Sequence, residues 1–217
     1  MFEVGYYKTD KGILREELDE YGDVSSPREF NDFSIFLTFE RGYSSPDKSE
    51  YKSYKELIVD LVGEKADKIY SEEGVGKGND YVLSYLTKRG YAALPVYKYE
   101  HSGIAYKAAK RNPFFDDWDS GLVGMIYVTP EVIKKHYNVN LITKSLIEQI
   151  QKRLKEEVEY YSNWANGDVY IYSLYPNEDE EPEIIGGFIG DMSINGVKDY
   201  FDIKECEYIG EYYTKKE

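Results

Sequence analysis

Apolar residues recur at intervals of three and four over residues 143–164, and this spacing predicts the longest helix of the chain. Lysine and glutamate residues occupy the opposite face of the same segment. Asn166-Gly167 interrupts the pattern and marks the end of the helix. We therefore expect an amphipathic helix that packs one stripe against a core, formed by Ile147, Ile150, Leu154, Val158 and Tyr161.

Shorter helices are predicted from their capping signals. Ser53 and Glu56 have the spacing of a capping box, so a helix should begin there and end at Gly63. A further short helix should cover residues 64–71. Pro130 follows a threonine and precedes a glutamate, which is typical of the first turn of a helix, so another helix should begin there.

A glycine-rich segment at residues 74–78 is the closest approach to a phosphate-binding motif. Such a loop requires a glycine at the position of Ser71 and a serine or threonine at the position of Gly78. Neither is present, so we interpret the segment as a flexible loop and expect Asn79 to cap the helix that follows it.

Runs of aromatic and β-branched residues predict strands at 2–8, 33–39, 93–99, 103–108, 122–128, 169–175 and 183–189. The strands at 93–99 and 103–108 should form a hairpin, and the strongly apolar strand at 122–128 should be central. Asp10-Lys11-Gly12 predicts a turn, which is followed by a polar stretch through Gly22 without a predicted strand, and the last segment fits either a short helix or an edge strand. Strands with helices grouped between them indicate the α+β class: a mostly antiparallel sheet packed against one long helix and several short helices. We expect a single globular domain over residues 1–217, with acidic terminal segments at 1–50 and 176–217.

The charge of the chain is concentrated in those terminal segments. The sequence holds 41 acidic and 27 basic residues, a net charge of −14, and residues 51–175 are neutral. If the two ends meet, the protein has one acidic side that attracts basic partners and repels phosphate backbones. The alternative is a solvated surface that keeps the protein in solution.

Composition excludes several classes of protein. No apolar run is long enough for a membrane span, and no signal peptide is recognisable at the start, so we expect a cytoplasmic protein. The single cysteine excludes an internal disulfide framework, and the acidic balance argues against direct nucleic-acid binding. The 24 tyrosines have three alternative explanations: packing in half-buried strands, codon bias, or a role in an interface.

One segment carries candidate chemistry. His101 stands in a predicted turn, and Asp117 and Asp119 precede the strand at 122–128. A histidine and two carboxylates would form a metal or acid/base site if these loops meet. The competing interpretation is structural, because aspartate and serine beside glycine form turns. No catalytic residue, cofactor or metal is assigned from the sequence.

The motifs of the chain resemble a family of small acidic proteins encoded by bacteriophages and mobile elements of Gram-positive bacteria. The segments that carry the resemblance are Ser26-Pro27-Arg28-Glu29-Phe30-Asn31, Leu94-Pro95-Val96-Tyr97, His101-Ser102-Gly103-Ile104, Trp118-Asp119-Ser120-Gly121, 123–128 and Gly167-Asp168-Val169-Tyr170. Phe30 in place of tryptophan and the acidic insertion after Pro176 are departures from the family pattern. Accessory proteins of this kind are often inhibitors of host defence, so the resemblance implies a context and no particular chemistry.

These observations lead to the expectation of a non-enzymatic inhibitor that acts in the bacterial cytoplasm. It would bind a basic, nucleic-acid-handling surface of a host protein, such as a CRISPR effector or a restriction enzyme, by imitating phosphates. The alternatives are a metal-dependent or hydrolytic protein that uses His101, Asp117 and Asp119, and an accessory protein in which those turns are structural. The candidate partner-binding acids are Asp19, Glu20, Asp23, Glu178, Asp179, Glu180 and Glu181.

Overall fold

The computed structural model describes residues 4–20, 22, 24–29, 31, 33–116, 118–177 and 180–211. Strands and helices alternate in groups along these ranges, which confirms the predicted α+β class. The elements are β1 (Val4–Thr9), β2 (Gly12–Leu18), β3 (Ile35–Thr38), α1 (Tyr54–Val62), α2 (Glu64–Glu73), α3 (Val75–Lys88), β4 (Ala92–Glu100), β5 (Ile104–Ala108), β6 (Ser120–Val128), α4 (Pro130–Tyr137), α5 (Lys144–Asn166), β7 (Val169–Tyr175), β8 (Glu183–Ile189), α6 (Val197–Tyr200) and β9 (Cys206–Gly210).

The contacts of the chain group into two compact units. We call Met1–Ser26 with Asn163–Glu217 the terminal unit, and Pro27–Ser162 the central unit. The expectation of a single domain over 1–217 stays a prediction. None of the helices in the described ranges has the length and apolar character of a membrane-spanning segment.

The central unit is built on an antiparallel sheet with the strand order β3-β6-β4-β5. β6 pairs with β3 on one side and β4 on the other, so the strand predicted to be central lies inside the sheet. Met125 and Tyr127 of β6 pack with the helices α1, α2 and α3 in one core cluster. Phe36 of β3 lies on the opposite face, because side chains alternate along a strand, and its ring meets Tyr161 of α5 at 5.3 Å. Helices therefore cover both faces of this sheet.

The predicted stripe of α5 is the buried side of the helix. All five of its residues are buried, and Gln151 on the same helix donates a hydrogen bond to the carbonyl of Ala93 at 3.0 Å. The serine half of the predicted capping box also forms, since the Ser53 hydroxyl accepts a hydrogen bond from the amide of Glu56, whereas the Glu56 carboxylate accepts from the amide of Lys52. These two helices follow from local sequence alone.

The terminal unit is built on a second antiparallel sheet with the order β8-β7-β2-β1-β9. β2 corrects the interpretation of the stretch between the Asp10-Lys11-Gly12 turn and Gly22 as a polar segment without a strand. Its centre pairs with β1 on one side and β7 on the other, and Leu14 is fully buried. The charged residues of β2 hid its strand pattern, because Glu16 faces the core side and accepts hydrogen bonds from the hydroxyls of Tyr7 and Tyr172.

The glycine-rich segment is also corrected, because α3 begins at Val75 and residues 75–78 are helical. Gly74, with φ of 86°, separates α2 from α3, so the chain breaks at one residue instead of five. Asn79 is a fully buried residue inside α3 and does not cap it. Its side chain accepts a hydrogen bond from Tyr70 at 2.6 Å and donates one to Tyr97 at 2.7 Å.

Candidate functional site

The two acidic ends of the chain meet in one sheet. β1 pairs with β9, and β2 pairs with β7, so strands from both ends alternate across the terminal unit. This unit holds 20 acidic and 7 basic residues, a net charge of −13. The central unit holds 21 acidic and 20 basic residues, a net charge of −1. Nearly all the excess negative charge therefore belongs to one unit.

Some carboxylates of the terminal unit have structural partners. Asp10 accepts hydrogen bonds from the amides of Lys204 and Glu205, at 2.9 and 3.1 Å, and these bonds hold the pKa of its carboxyl below the usual range. Burial and the hydrogen bond to Glu16 raise the pKa of the Tyr172 hydroxyl. The carboxylates of Asp10 and Glu16 therefore have hydrogen-bond partners within the fold.

Ion pairs neutralise few of the remaining acids of this unit. Between the described residues, ion pairs within 4.0 Å in the terminal unit are those of Lys11 with Asp202, at 3.2 Å, and of Arg15 with Glu17. Exposed carboxylates without a cation remain hydrated, and their mutual repulsion falls when a basic surface approaches. This unit is therefore suited to binding positive charge.

The predicted partner-binding acids form two separate patches. Asp19 and Glu20 directly follow β2, at the end where Leu18 pairs with Tyr170. Glu180 and Glu181 are exposed between β7 and β8, beyond the end where Ile13 pairs with Tyr175. The length of β7 separates the two patches, which is about 20 Å at roughly 3.3 Å per residue.

Three of the predicted acids, Asp23, Glu178 and Asp179, lie outside the described residues. Of the described ones, Glu20, Glu180 and Glu181 are exposed and Asp19 is half-buried. The amide of Glu180 donates a hydrogen bond to the Asn177 side chain at 3.1 Å, which holds the start of the acidic turn in place. Their role in binding a partner stays a prediction, and the sequence could not show their spacing.

The candidate acid/base site is only partly assembled. His101 Nδ1 lies 3.0 Å from Asp119 Oδ2, so the two loops meet, which the sequence had left open, and Asp117 lies outside the described residues. The His101 side chain is 68% exposed. Within the described ranges no group of three His, Cys, Asp or Glu side chains is arranged to hold a metal ion. The geometry is that of an exposed histidine hydrogen-bonded in a turn.

A buried lysine beside this turn was missed by the sequence analysis. Lys98 is 6% exposed, and its Nζ lies 2.6 Å from Glu40 Oε2 and 2.8 Å from Glu100 Oε2. The same Nζ lies 3.2 Å from the ring centre of Tyr43. Burial acts to lower the pKa of Lys98, but the hydrogen bonds to Glu100 and Glu40 outweigh it and raise the pKa overall. A lysine held in its charged form is a poor nucleophile or base, so this cluster stabilises the fold.

Arg28, from the first motif of the resemblance, also has a structural role. Its side chain is 2% exposed and pairs with Asp47 at 2.6 Å and with Glu157 of α5 at 3.0 Å. The guanidinium also donates to the hydroxyl and carbonyl oxygens of Ser34. A buried arginine with these partners joins three segments of the central unit and offers no surface for binding.

Comparison with protein-family models, curated proteins and solved structures gave no significant match. The resemblance to the phage family therefore stays a prediction.

Proposed function

We propose that this protein is a non-enzymatic binding protein whose terminal unit binds a basic, nucleic-acid-handling surface on a partner protein and blocks that surface. The observation that carries the proposal is the segregation of charge: the terminal unit has a net charge of −13 and the central unit −1. Following the expectation from the sequence, the partner class is a host defence enzyme of the CRISPR or restriction type.

The physical basis is competition for lysine and arginine side chains. The affinity of a nucleic-acid channel is largely electrostatic, so carboxylates held on a rigid sheet can replace phosphates there. The patches at Asp19–Glu20 and Glu180–Glu181 are about 20 Å apart along the strands. This distance corresponds to about six base pairs along the axis of duplex DNA, at roughly 3.4 Å each.

The exposed acids of the terminal unit support binding better than the His101–Asp119 pair supports catalysis. A general acid or base requires a reacting group within hydrogen-bond distance and a pKa matched to its task. His101 faces solvent and has one carboxylate beside it among the described residues.

The proposal is tested by neutralising the two acidic patches together. The variant carries Asp19→Asn, Glu20→Gln, Glu180→Gln and Glu181→Gln, and the matched control carries four exposed acids of the central unit changed to Gln: Glu50, Glu73, Glu131 and Glu159. Each variant loses four negative charges. A difference between the two therefore reports the position of those charges and not the total charge of the protein. Circular dichroism first checks that both variants fold. We expect native spectra, because exposed substitutions usually change stability by less than about 0.5 kcal/mol.

The measurement is competition with labelled duplex DNA for purified CRISPR nucleases and restriction enzymes, followed by fluorescence anisotropy. We expect the natural protein to displace DNA, the terminal variant to lose at least about tenfold in affinity through slower association, and the control to stay close to the natural protein. Affinity should fall steeply with added salt. Equal losses in both variants, or an affinity that salt does not change, would contradict the proposal.

A further inference from the structure

The terminal sheet has a second face that its own core does not use. Leu14 and Tyr172 point into the core cluster of this unit, which includes Val197 of α6. Because side chains alternate along a strand, their neighbours point to the other face. There, Tyr6, Ile13, Arg15 and Tyr175 line a cavity of about 470 Å³ together with Lys8, Thr9, Gly12, Pro176, Asn177 and Glu180.

The register of the strands assembles this cavity from three neighbouring strands. Tyr6 of β1 lies opposite Arg15 of β2, and Lys8 of β1 lies opposite Ile13 of β2. Ile13 in turn lies opposite Tyr175 of β7. The floor is therefore formed by paired backbone in the middle of the sheet, which makes the cavity a preformed site.

Tight turns close one end of the cavity. A Cβ atom at Gly12, which has φ of 133°, would lie 2.1 Å from the carbonyl oxygen of Tyr175, so only glycine allows the β1–β2 hairpin to approach β7 this closely. The Thr9 hydroxyl donates to the Gly12 carbonyl at 2.9 Å and accepts from the Lys11 amide at 3.1 Å. These contacts fix the end wall beside Pro176.

The cavity places two cations in a strongly acidic unit. No carboxylate of the described residues lies within 4.0 Å of the Lys8 ammonium group, so this charge has no ion-pair partner there. One nitrogen of the Arg15 guanidinium pairs with Glu17, while its Nε is buried and has no hydrogen-bond partner among the described residues. A buried donor without a protein acceptor is rare in folded proteins and is satisfied by water or by a bound group.

We propose that this cavity binds a small planar aromatic anion. Its ring would pack on the side chains of Tyr6, Ile13 and Tyr175, and its carboxylate or phosphate would be held by Lys8 and Arg15. The cavity lies within the size range of small-molecule sites, which combine apolar walls with a few polar groups. This inference rests on the cations Lys8 and Arg15, whereas the proposed binding of a basic partner rests on the acids of the unit. The two sites share Glu180, so the test below leaves Glu180 unchanged.

The test uses the full chain and nuclear magnetic resonance titrations. The probes are AMP and 1-naphthoate, which carry a phosphate and a carboxylate, and their neutral counterparts adenosine and 1-naphthamide. We expect saturable shifts of the Tyr6, Ile13 and Tyr175 signals with at least one anion, and affinity at least about tenfold lower for its neutral counterpart. Binding of AMP alone assigns the site to phosphates, and binding of 1-naphthoate alone assigns it to carboxylates.

Three variants separate the site from non-specific binding. Lys8→Gln should lower the affinity for the anion about five- to tenfold and leave the affinity for the neutral probe unchanged, because it removes only the charge. Ile13→Trp should fill the cavity and abolish binding, with native circular dichroism as the check on its fold. Lys11→Gln is the matched control, since Lys11 lies on the same hairpin but does not line the cavity. The inference is overturned if neither anion shifts these signals at millimolar concentration, or if Lys11→Gln weakens binding as much as Lys8→Gln.

Discussion

The terminal and central units use their charged side chains in opposite ways. In the central unit the buried cations Arg28 and Lys98 each lie between two carboxylates. In the terminal unit acidic residues outnumber basic ones by 13, and ion pairs between its described residues are few. The central unit therefore uses two of its cations, with their carboxylate partners, as part of its internal structure, whereas most charges of the terminal unit face water.

This difference has an energetic consequence. A buried ion pair contributes specificity to a fold, and removing one member leaves the other charge buried and uncompensated. An exposed carboxylate contributes little to stability and repels its neighbours. The central unit should therefore be sensitive to the loss of single charges, and the terminal unit should tolerate such changes and respond to ionic strength.

The largest expected effect is that of Arg28→Ala. The substitution leaves Asp47 and Glu157 without their shared cation, so we expect the free energy of unfolding to fall by about 3–5 kcal/mol. Arg28→Lys should cause a smaller loss, because one ammonium group cannot replace a planar guanidinium with several partners. Urea denaturation followed by circular dichroism measures both values.

The matched control for this prediction is Lys11→Ala in the terminal unit. Lys11 also pairs with an aspartate, Asp202, but the pair is exposed, so its loss should cost less than about 1 kcal/mol. Similar losses of stability for Arg28→Ala and Lys11→Ala would contradict the claim that ion pairs matter more for the stability of the central unit than for that of the terminal unit.

A smaller effect is expected from two glycines of α3, which test how tightly polar groups are enclosed in the central unit. A Cβ at Gly78 would lie 2.4 Å from the Tyr70 ring, whose hydroxyl donates to Asn79. Gly78→Ala should therefore destabilise by about 1–3 kcal/mol, despite the better helix propensity of alanine. At Gly76 the nearest atom is 3.6 Å away, so Gly76→Ala should stabilise by up to about 1 kcal/mol.

Thermal denaturation measures whether Gly78→Ala lowers the stability of the protein and Gly76→Ala raises it. If Gly78→Ala is also stabilising, the Tyr70 ring moves without cost, and the network of Tyr70, Asn79 and Tyr97 does not fix this part of the central unit.

The smallest effect is the response to salt. Raising the ionic strength from about 0.01 M to about 0.15 M shortens the Debye length from about 30 Å to about 8 Å and screens exposed like charges. Amides of β1, β2 and β7 should then become better protected from hydrogen exchange, by a few tenths of a kcal/mol, whereas amides of β4 and β6 should change less. Equal changes in both sheets would contradict the assignment of uncompensated repulsion to the terminal unit.

Local sequence was sufficient for the elements whose signals are local. The stripe of α5, the serine half of the capping box at Ser53 and Glu56, and the hairpin of β4 and β5 each depend on residues close together in the chain, and each formed as predicted. The acidic character of both ends was equally visible, because charge is a property of composition. Whether His101 meets Asp119 was left open by the sequence, because the two residues lie on different turns whose relative position depends on the pairing of β4 with β6.

Tertiary structure decided what depends on distant partners. β2 is a strand because it pairs with β7, more than a hundred residues later in the chain, and no local pattern specifies that register. Lys98 is buried only because Glu40 and Tyr43 come to it from another segment. The sequence alone thus determined the helices α1 and α5 and the amount of charge. Pairing between the two ends of the chain decided that this charge gathers in one unit, because strand pairing is stabilised by contacts that form only when the whole sheet assembles.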